Sequence, residues 1–195
     1  MSTLMPPLRS DRLEIRPFVS SDLDDVHRVL CEAWDVATDQ REAQRAEREL
    51  WLNWTIAGYR EYARLLQPPY GERAVVRRQD ERLVGVVGVV PALAPFGTLP
   101  HYPSVPGTGH TPEVGLYWAT DPREQGRGYA TEAARTVARF LFESFAVARV
   151  IATTEFDNAA SRGVMRKLGM QEFTNTAGQP EWFQVVGLLE RSNTA

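Results

Sequence analysis

Gln125-Gly126-Arg127-Gly128-Tyr129-Ala130 sets two glycines one residue apart, with an arginine between them, directly before a segment of helical periodicity. Glycine opens turn dihedrals that are closed to other residues and lets an anion come close to the backbone. The first turn of the helix that follows leaves about four N–H groups without intrahelical partners. Those donors and the positive helix terminus suit a pyrophosphate. Arg123 and Arg127 can add charge-assisted hydrogen bonds to outer phosphate oxygens, and the small Ala130 keeps the approach open. A glycine turn feeding an ordinary surface helix is the plainer reading of Gly-x-Gly alone; the strand before it and the amphipathic helix after it favour the anion site. The stretch has neither the Gly-Lys-Ser/Thr ending of a Walker-type loop nor the Gly-x-Gly-x-x-Gly dinucleotide spacing.

The elements that must position this turn can be read outward from it. Glu113–Thr120 predicts a strand, and a helix spans roughly 129–145, with Ala130, Ala133, Ala134, Val137, Leu141 and Phe145 on one side. Upstream, Leu13–Pro17 predicts a strand, and Ser21 reads as the N-cap of a helix with acidic residues in its first turn. A second helical stretch covers about 40–65, bent or divided at Gly58, and a hairpin joins strands over 73–78 and 82–90. Residues 91–112 hold six of the chain's 13 prolines and no useful periodicity, which predicts a long Pro/Gly-rich loop, either a disordered insertion or a functional lid. Downstream come a strand over 149–154, a helix over 159–168 stopped by Gly169, the start of a strand at 172–173 and a last strand over 182–188. The 122–148 connection is long enough for a parallel crossover, so the order predicts a mixed α/β sheet with helices on its faces.

Composition narrows the function classes. A chain of 195 residues fits one domain with a substantial core. A net charge of −3 offers no basic field for nucleic acid, and the alternating charges around Arg41, Arg45 and Arg48 read as a solvated helix face. One cysteine, Cys31, excludes an intrachain disulfide, and with three histidines it argues against a dedicated zinc site, so no metal is expected. Cys31 itself reads as a small buried hydrophobe. The opening residues lack the apolar core of a leader, and no apolar run is long enough to span a bilayer. The expectation is a cytoplasmic protein.

With these motifs in view, Glu113–Phe173 resembles the acetyl-coenzyme A-binding half of the GNAT-type N-acetyltransferases. Residues 125–130 match that family's Gln/Arg-x-x-Gly-x-Gly/Ala signature, with Pro122 ahead of it. Asn158, Ser161 and Lys167-Leu168-Gly169-Met170 match a second motif downstream. The resemblance covers about residues 11–190. Its Leu13-Glu14-Ile15-Arg16-Pro17 opening and Glu113–Trp118 look closest to the branch of ribosomal-protein serine and alanine N-terminal acetyltransferases. It implies an acyl-CoA N-acyltransferase fold: a single α/β domain whose mixed, mostly antiparallel sheet is flanked by helices and has splayed central strands. Acetyl-CoA as cosubstrate, an amine-bearing small molecule or protein N-terminus as acceptor, and a homodimer are further implications.

The resemblance also distributes roles. Backbone groups of Trp118, Ala119 and Thr120 would align the pantetheine arm and polarise the thioester carbonyl. Gly126, Arg127, Gly128, Tyr129 and Ala130 would hold the pyrophosphate, beside Gln125, and Asn158 would contact the cofactor arm. Acetyl transfer needs a neutral amine, a donor to the developing oxyanion and a proton for the departing thiolate. Glu113, opening the strand that leads to the site, is the candidate base, directly or through water. Ser161 lies near one helical turn after Asn158 and is the candidate acid; the tyrosine frequent in this family as proton donor has no obvious counterpart there. Tyr102 and His110 are candidates to touch the acceptor. The rival reading is a non-catalytic acyl-CoA-binding or sensing protein.

Overall fold

Leu13 and Ile15 are buried while Glu14 and Arg16 turn toward solvent, the period-2 pattern of a half-buried strand. In the computed structural model, which describes residues 4–191, this strand is the second of eight. Met1–Thr3, part of the opening read for a leader, lie outside the described residues. The chain runs β1 (Leu8–Arg9), β2 (Leu13–Arg16), α1 (Leu23–Ala33), α2 (Thr38–Arg64), β3 (Gly71–Arg77), β4 (Arg82–Ala94), β5 (Thr111–Thr120), α3 (Tyr129–Ser144), β6 (Arg149–Thr154), α4 (Ala159–Leu168), β7 (Gln171–Thr174) and β8 (Val185–Glu190). The sheet order is β1-β2-β3-β4-β5-β6-β8-β7. β5 and β6 pair in parallel with Gly115 opposite Ile151; β1/β2, β2/β3, β3/β4, β6/β8 and β7/β8 are antiparallel. The expected α/β fold with a mixed sheet and flanking helices is therefore the one observed. No helix among the described residues is long and apolar enough to cross a membrane.

The chain divides into two compact units. The first takes the residues up to Val89 together with Tyr117–Val137. Its core gathers Phe18, Val26, Leu30 and Leu52 against Ala74, Val76, Val86 and Ala119. Asp22, not Ser21, organises the entry to α1: its carboxylate accepts the Val19 N–H at 2.8 Å and both Arg16 guanidinium nitrogens at 2.7 Å. Gly58 does not divide the second helix, which is continuous over 27 residues. Its missing Cβ leaves room for the Tyr62 ring, 3.3 Å from where that carbon would be.

The second unit takes Val90–Leu116 and the chain from Ala138 onward. Here the expected 91–112 loop is shorter at both ends, because β4 continues through Pro91 to Ala94 and β5 begins at Thr111. Ala94, Phe96, Leu99 and Tyr102 are buried in a cluster with Phe173, Phe183 and Val186. Tyr102 stacks on Phe96 at 5.3 Å and meets Phe173 edge-on at 5.1 Å. These anchors order the segment, and their uneven spacing is why no periodicity betrays them. The last strand begins at Val185 rather than 182, after a 3-10 turn over Glu181–Phe183.

Candidate active site

The turn between β5 and α3 is built from two buried carboxylates. Asp121 is fully buried and Glu124 nearly so. Asp121 accepts the Arg123 N–H at 3.0 Å and so caps the 3-10 turn Pro122–Glu124; Arg28 donates to it at 2.6 Å and the Arg123 guanidinium at 3.1 and 3.2 Å. Burial pushes the Asp121 carboxyl up, but the hydrogen bonds from Arg123 and Arg28 outweigh it and hold it at about 2. Glu124 pairs with Arg77 at 2.9 Å, Arg127 at 3.3 Å and Arg82 at 3.5 Å. The turn is thus clamped by arginines paired with its two carboxylates.

Beyond it, Gly126 and Gly128 take φ of +74° and +82°, left-handed values that other residues adopt only under strain. A Cβ on Gly126 would meet nothing within 4 Å, and one on Gly128 only Arg12 Nη2 at 3.6 Å. The Glu132 N–H closes the first helical turn of α3 on the Gly128 carbonyl at 3.0 Å. Glu132 also fixes the helix start, accepting from Ser10 Oγ at 2.7 Å and from the Arg12 N–H and Nε at 3.0 and 2.7 Å. Arg12 donates to the Arg127 carbonyl at 3.0 Å and lies over the Tyr129 ring. The cradle therefore has open space in front and the dipole of α3 behind it, which fits a pyrophosphate.

Several expected residues sit in this first unit. Gln125 donates to the Thr120 carbonyl at 3.3 Å, joining the turn to the strand end; Trp118 is partly buried and Ala119 buried. Arg127 is half-exposed and pairs with Glu124 at 3.3 Å, whereas the Arg123 guanidinium is engaged by two carboxylates, Asp121 at 3.1 Å and Glu32 at 3.0 Å. Arg12, Asp121 and Glu132 were not singled out in the sequence. The signal for Asp121 is Asp-Pro-Arg, an N-cap residue ahead of a proline at the first helical position.

Tyr102, His110, Glu113, Asn158 and Ser161 belong to the second unit. Glu113 is buried, and three donors engage both of its oxygens: Arg149 Nε at 3.0 Å, Arg149 Nη2, and the Tyr102 hydroxyl at 3.1 Å. Arg149 also donates to the Pro103 carbonyl at 2.7 Å, so the cluster fastens the 95–110 segment. Burial, with Glu113 close by, pushes the Tyr102 phenol up. His110 is exposed. Asn158 caps α4, its Oδ1 accepting the Ser161 N–H at 3.0 Å and its amide donating to Glu155 at 3.4 Å. Cys31 is fully buried, as expected of a small hydrophobe.

Comparison with known proteins supplies the family and the fold. The chain is 40% identical over 62 residues to the uncharacterized N-acetyltransferase YnaD of Bacillus subtilis (strain 168), a match covering 32% of this chain and 35% of that relative. Among solved structures, a GNAT-family acetyltransferase from Bacillus anthracis superposes with a TM-score of 0.67 at 18% identity, covering 96% of this chain and 99% of that one. RimL, a ribosomal L7/L12 α-N-protein acetyltransferase solved with coenzyme A, gives a TM-score of 0.64 at 14% identity, over 92% and 93% of the two chains. At these identities the structural neighbours speak for the fold. Residues 12–171 match the Acetyltransferase (GNAT) domain, and the chain belongs to that family.

Proposed function

We propose that this protein transfers the acetyl group of acetyl-CoA to a primary amine, of a protein N-terminus or a small molecule, by direct attack. The glycine cradle carries the reading: two left-handed glycines open onto free space at the start of α3 and are braced by Asp121 and Glu124. Backbone N–H groups of Gly126–Ala130 hold the pyrophosphate, and the Arg127 guanidinium reaches its outer oxygens. Arg123, tied to Asp121 and Glu32, shapes the turn. Backbone groups of Trp118–Thr120 align the pantetheine arm. Bound acetyl-CoA supplies an activated acyl thioester. Asn158 borders the cofactor arm while capping α4, and the Ser161 hydroxyl protonates the departing thiolate. Glu113 holds the 95–110 segment through Arg149 and Tyr102. An α-N-acetyltransferase among the structural neighbours supports a protein N-terminus as one acceptor class. The lone buried thiol of Cys31 is consistent with the cytoplasm; a homodimer, the expectation from the family resemblance, is tested by sedimentation.

Calorimetric titration with acetyl-CoA, for the parent and for Gly128→Glu, tests the cradle. Saturable binding by the parent, lost in the folded variant, supports it. Thiol release with a panel of amines then separates an enzyme from a non-catalytic acyl-CoA-binding protein, which would bind and release nothing. A folded parent that does not bind acetyl-CoA overturns the reading.

A further inference from the structure

Behind the cradle, the first unit buries polar atoms that its own fold does not satisfy. Among the described residues, Arg48 Nε, Thr55 Oγ1 and Tyr117 Oη are inaccessible to solvent and have no hydrogen-bond partner. Thr55 itself is 1% exposed. A buried polar group without a partner costs about 1–3 kcal/mol, so three in one region ask for a partner from outside.

They converge on one strand position. Arg48, Leu52, Thr55 and Tyr59 recur at helical spacing along α2. Leu52 packs in the core with Ala74 and Val76 of β3, and the Tyr59 hydroxyl donates to the Glu72 carbonyl at 2.6 Å. This face therefore lies over β3 near Glu72. Across the sheet, Glu72 is paired with Gly88 of β4. The Asp121 N–H donates to the Val84 carbonyl, and counting back along β5 from that bond brings Tyr117 beside Gly88. A Cβ on Gly88 would lie 2.9 Å from Glu72 Cγ, so the Glu72 side chain fills the space over the glycine, and its carboxylate shares a face with the Tyr117 phenol. On α2, Arg48 lies over the Trp34 and Trp51 rings, at 5.0 and 5.3 Å.

We propose that the face shared by Glu72, Tyr117 and Arg48 is the acceptor site, with Glu72 taking the proton of the attacking amine and Arg48 binding an anionic group carried by the same acceptor. The inference rests on the acetyl-transfer reading above. It names a substrate class: primary amines that bear a nearby carboxylate, as amino acids and acidic peptides do. In the reaction the ammonium gives one proton to Glu72. The N–C bond then forms as the C–S bond breaks, the Ser161 hydroxyl gives its proton to the departing sulfur and is restored by the second N–H proton, and Glu72 returns its proton to water.

The electrostatics fit these tasks. Burial pushes the Glu72 carboxyl up, against the pull of Arg73 and Arg48, the direction that favours its taking a proton. Burial also pushes Arg48 down, which an incoming anion would relieve. The groups facing Glu72 are Arg48 and Tyr59 from α2, Arg73 from its own strand and Tyr117 from β5; burial keeps both phenols protonated. Thr55 Oγ1 and Tyr117 Oη are then free to orient the amine.

The test measures acetyl-CoA-dependent thiol release with amino acids, dipeptides ending in glutamate, their carboxamide counterparts and spermidine, alongside calorimetry with acetyl-CoA. The parent is expected to prefer the carboxylate-bearing amines. Glu72→Gln should lower kcat about 100-fold and erase the acid limb of the kcat profile, with acetyl-CoA affinity and melting temperature unchanged. Arg48→Met should raise KM about 10-fold for the carboxylates and leave the carboxamides alone. The proposal is overturned by a Glu72→Gln variant that keeps its kcat, by an Arg48→Met effect equal on both acceptor sets, or by a parent that binds acetyl-CoA yet uses only spermidine or no acceptor of the panel. A parent that does not bind acetyl-CoA at all overturns the underlying acetyl-transfer reading instead, and the calorimetry identifies that case separately.

Discussion

Arg28 of α1 donates to Asp121 Oδ2 at 2.6 Å, across 93 residues of sequence, and so fastens the first helix to the turn that begins the cradle. Arg123 completes the arrangement by bridging Asp121 and Glu32. The turn thereby takes its shape from a charged network around Asp121, and the glycines add freedom only where the backbone enters left-handed conformations.

Asp121→Asn would leave Arg28 and Arg123 without their buried counter-charge, at about 3 kcal/mol of stability. The pH dependence follows from its carboxyl, which burial raises but hydrogen bonds bring down to about 2. A folded-state value below the unfolded one, about 3.9, means stability present above that value and lost as pH falls toward 2. Urea unfolding between pH 2 and 6 should show this acid-dependent loss in the parent and a shallower slope in the variant; parallel curves would remove Asp121 from the network's energetics.

Gly85→Ala addresses the strands that lead to the cradle. The added Cβ would lie 2.6 Å from the Ala119 carbonyl oxygen, a backbone atom with little room to move. Overpacking of this kind costs about 1–3 kcal/mol. A lowered melting temperature together with weaker acetyl-CoA binding is expected, because the displaced strand is the one that ends at Thr120; an unchanged melting temperature would count against the close approach.

Much of this was legible in the sequence because local chemistry determined it. Gly126 and Gly128 announce left-handed turns, and Gly169 a helix stop. Residues whose roles depend on distant partners gave no such signal. Nothing local says that Arg12 will meet Glu132, or that Arg28 will reach Asp121. Tyr102 and Glu113 were visible as chemistry-bearing types, but the guanidinium that engages Glu113 comes from β6, 36 residues on. Glu72 lies one residue before the strand expected over 73–78 and gave no signal; its place beside Gly88 and Tyr117 comes only from the sheet.

Gly126→Ala separates backbone conformation from contact. Its φ of +74° is strained for alanine by about 1–2 kcal/mol, while the new methyl meets no protein atom within 4 Å. The methyl occupies the space through which a pyrophosphate would approach. Acetyl-CoA affinity should fall at least 10-fold, more than a strain shared by the free and bound protein can explain. Equal affinity in a folded variant would move the phosphate site off this glycine.

Glu113, Arg149 and Tyr102 supply a graded series that distinguishes holding from catalysis. Tyr102→Phe removes one of three donors to a buried carboxylate and should cost about 1 kcal/mol. Arg149→Met leaves that carboxylate without its cation and should cost about 3–5 kcal/mol. Glu113→Gln keeps the shape and loses the charge, so stability should drop by an intermediate amount. If Glu113 serves the 95–110 segment, kcat for acetyl transfer stays within about 10-fold of the parent for Glu113→Gln, far from the 10²–10⁴-fold expected on losing a general base. Chemical unfolding and steady-state kinetics on the same three proteins decide the matter: a large loss of kcat in Glu113→Gln with stability preserved would return the proton-transfer role to Glu113 and withdraw it from Glu72.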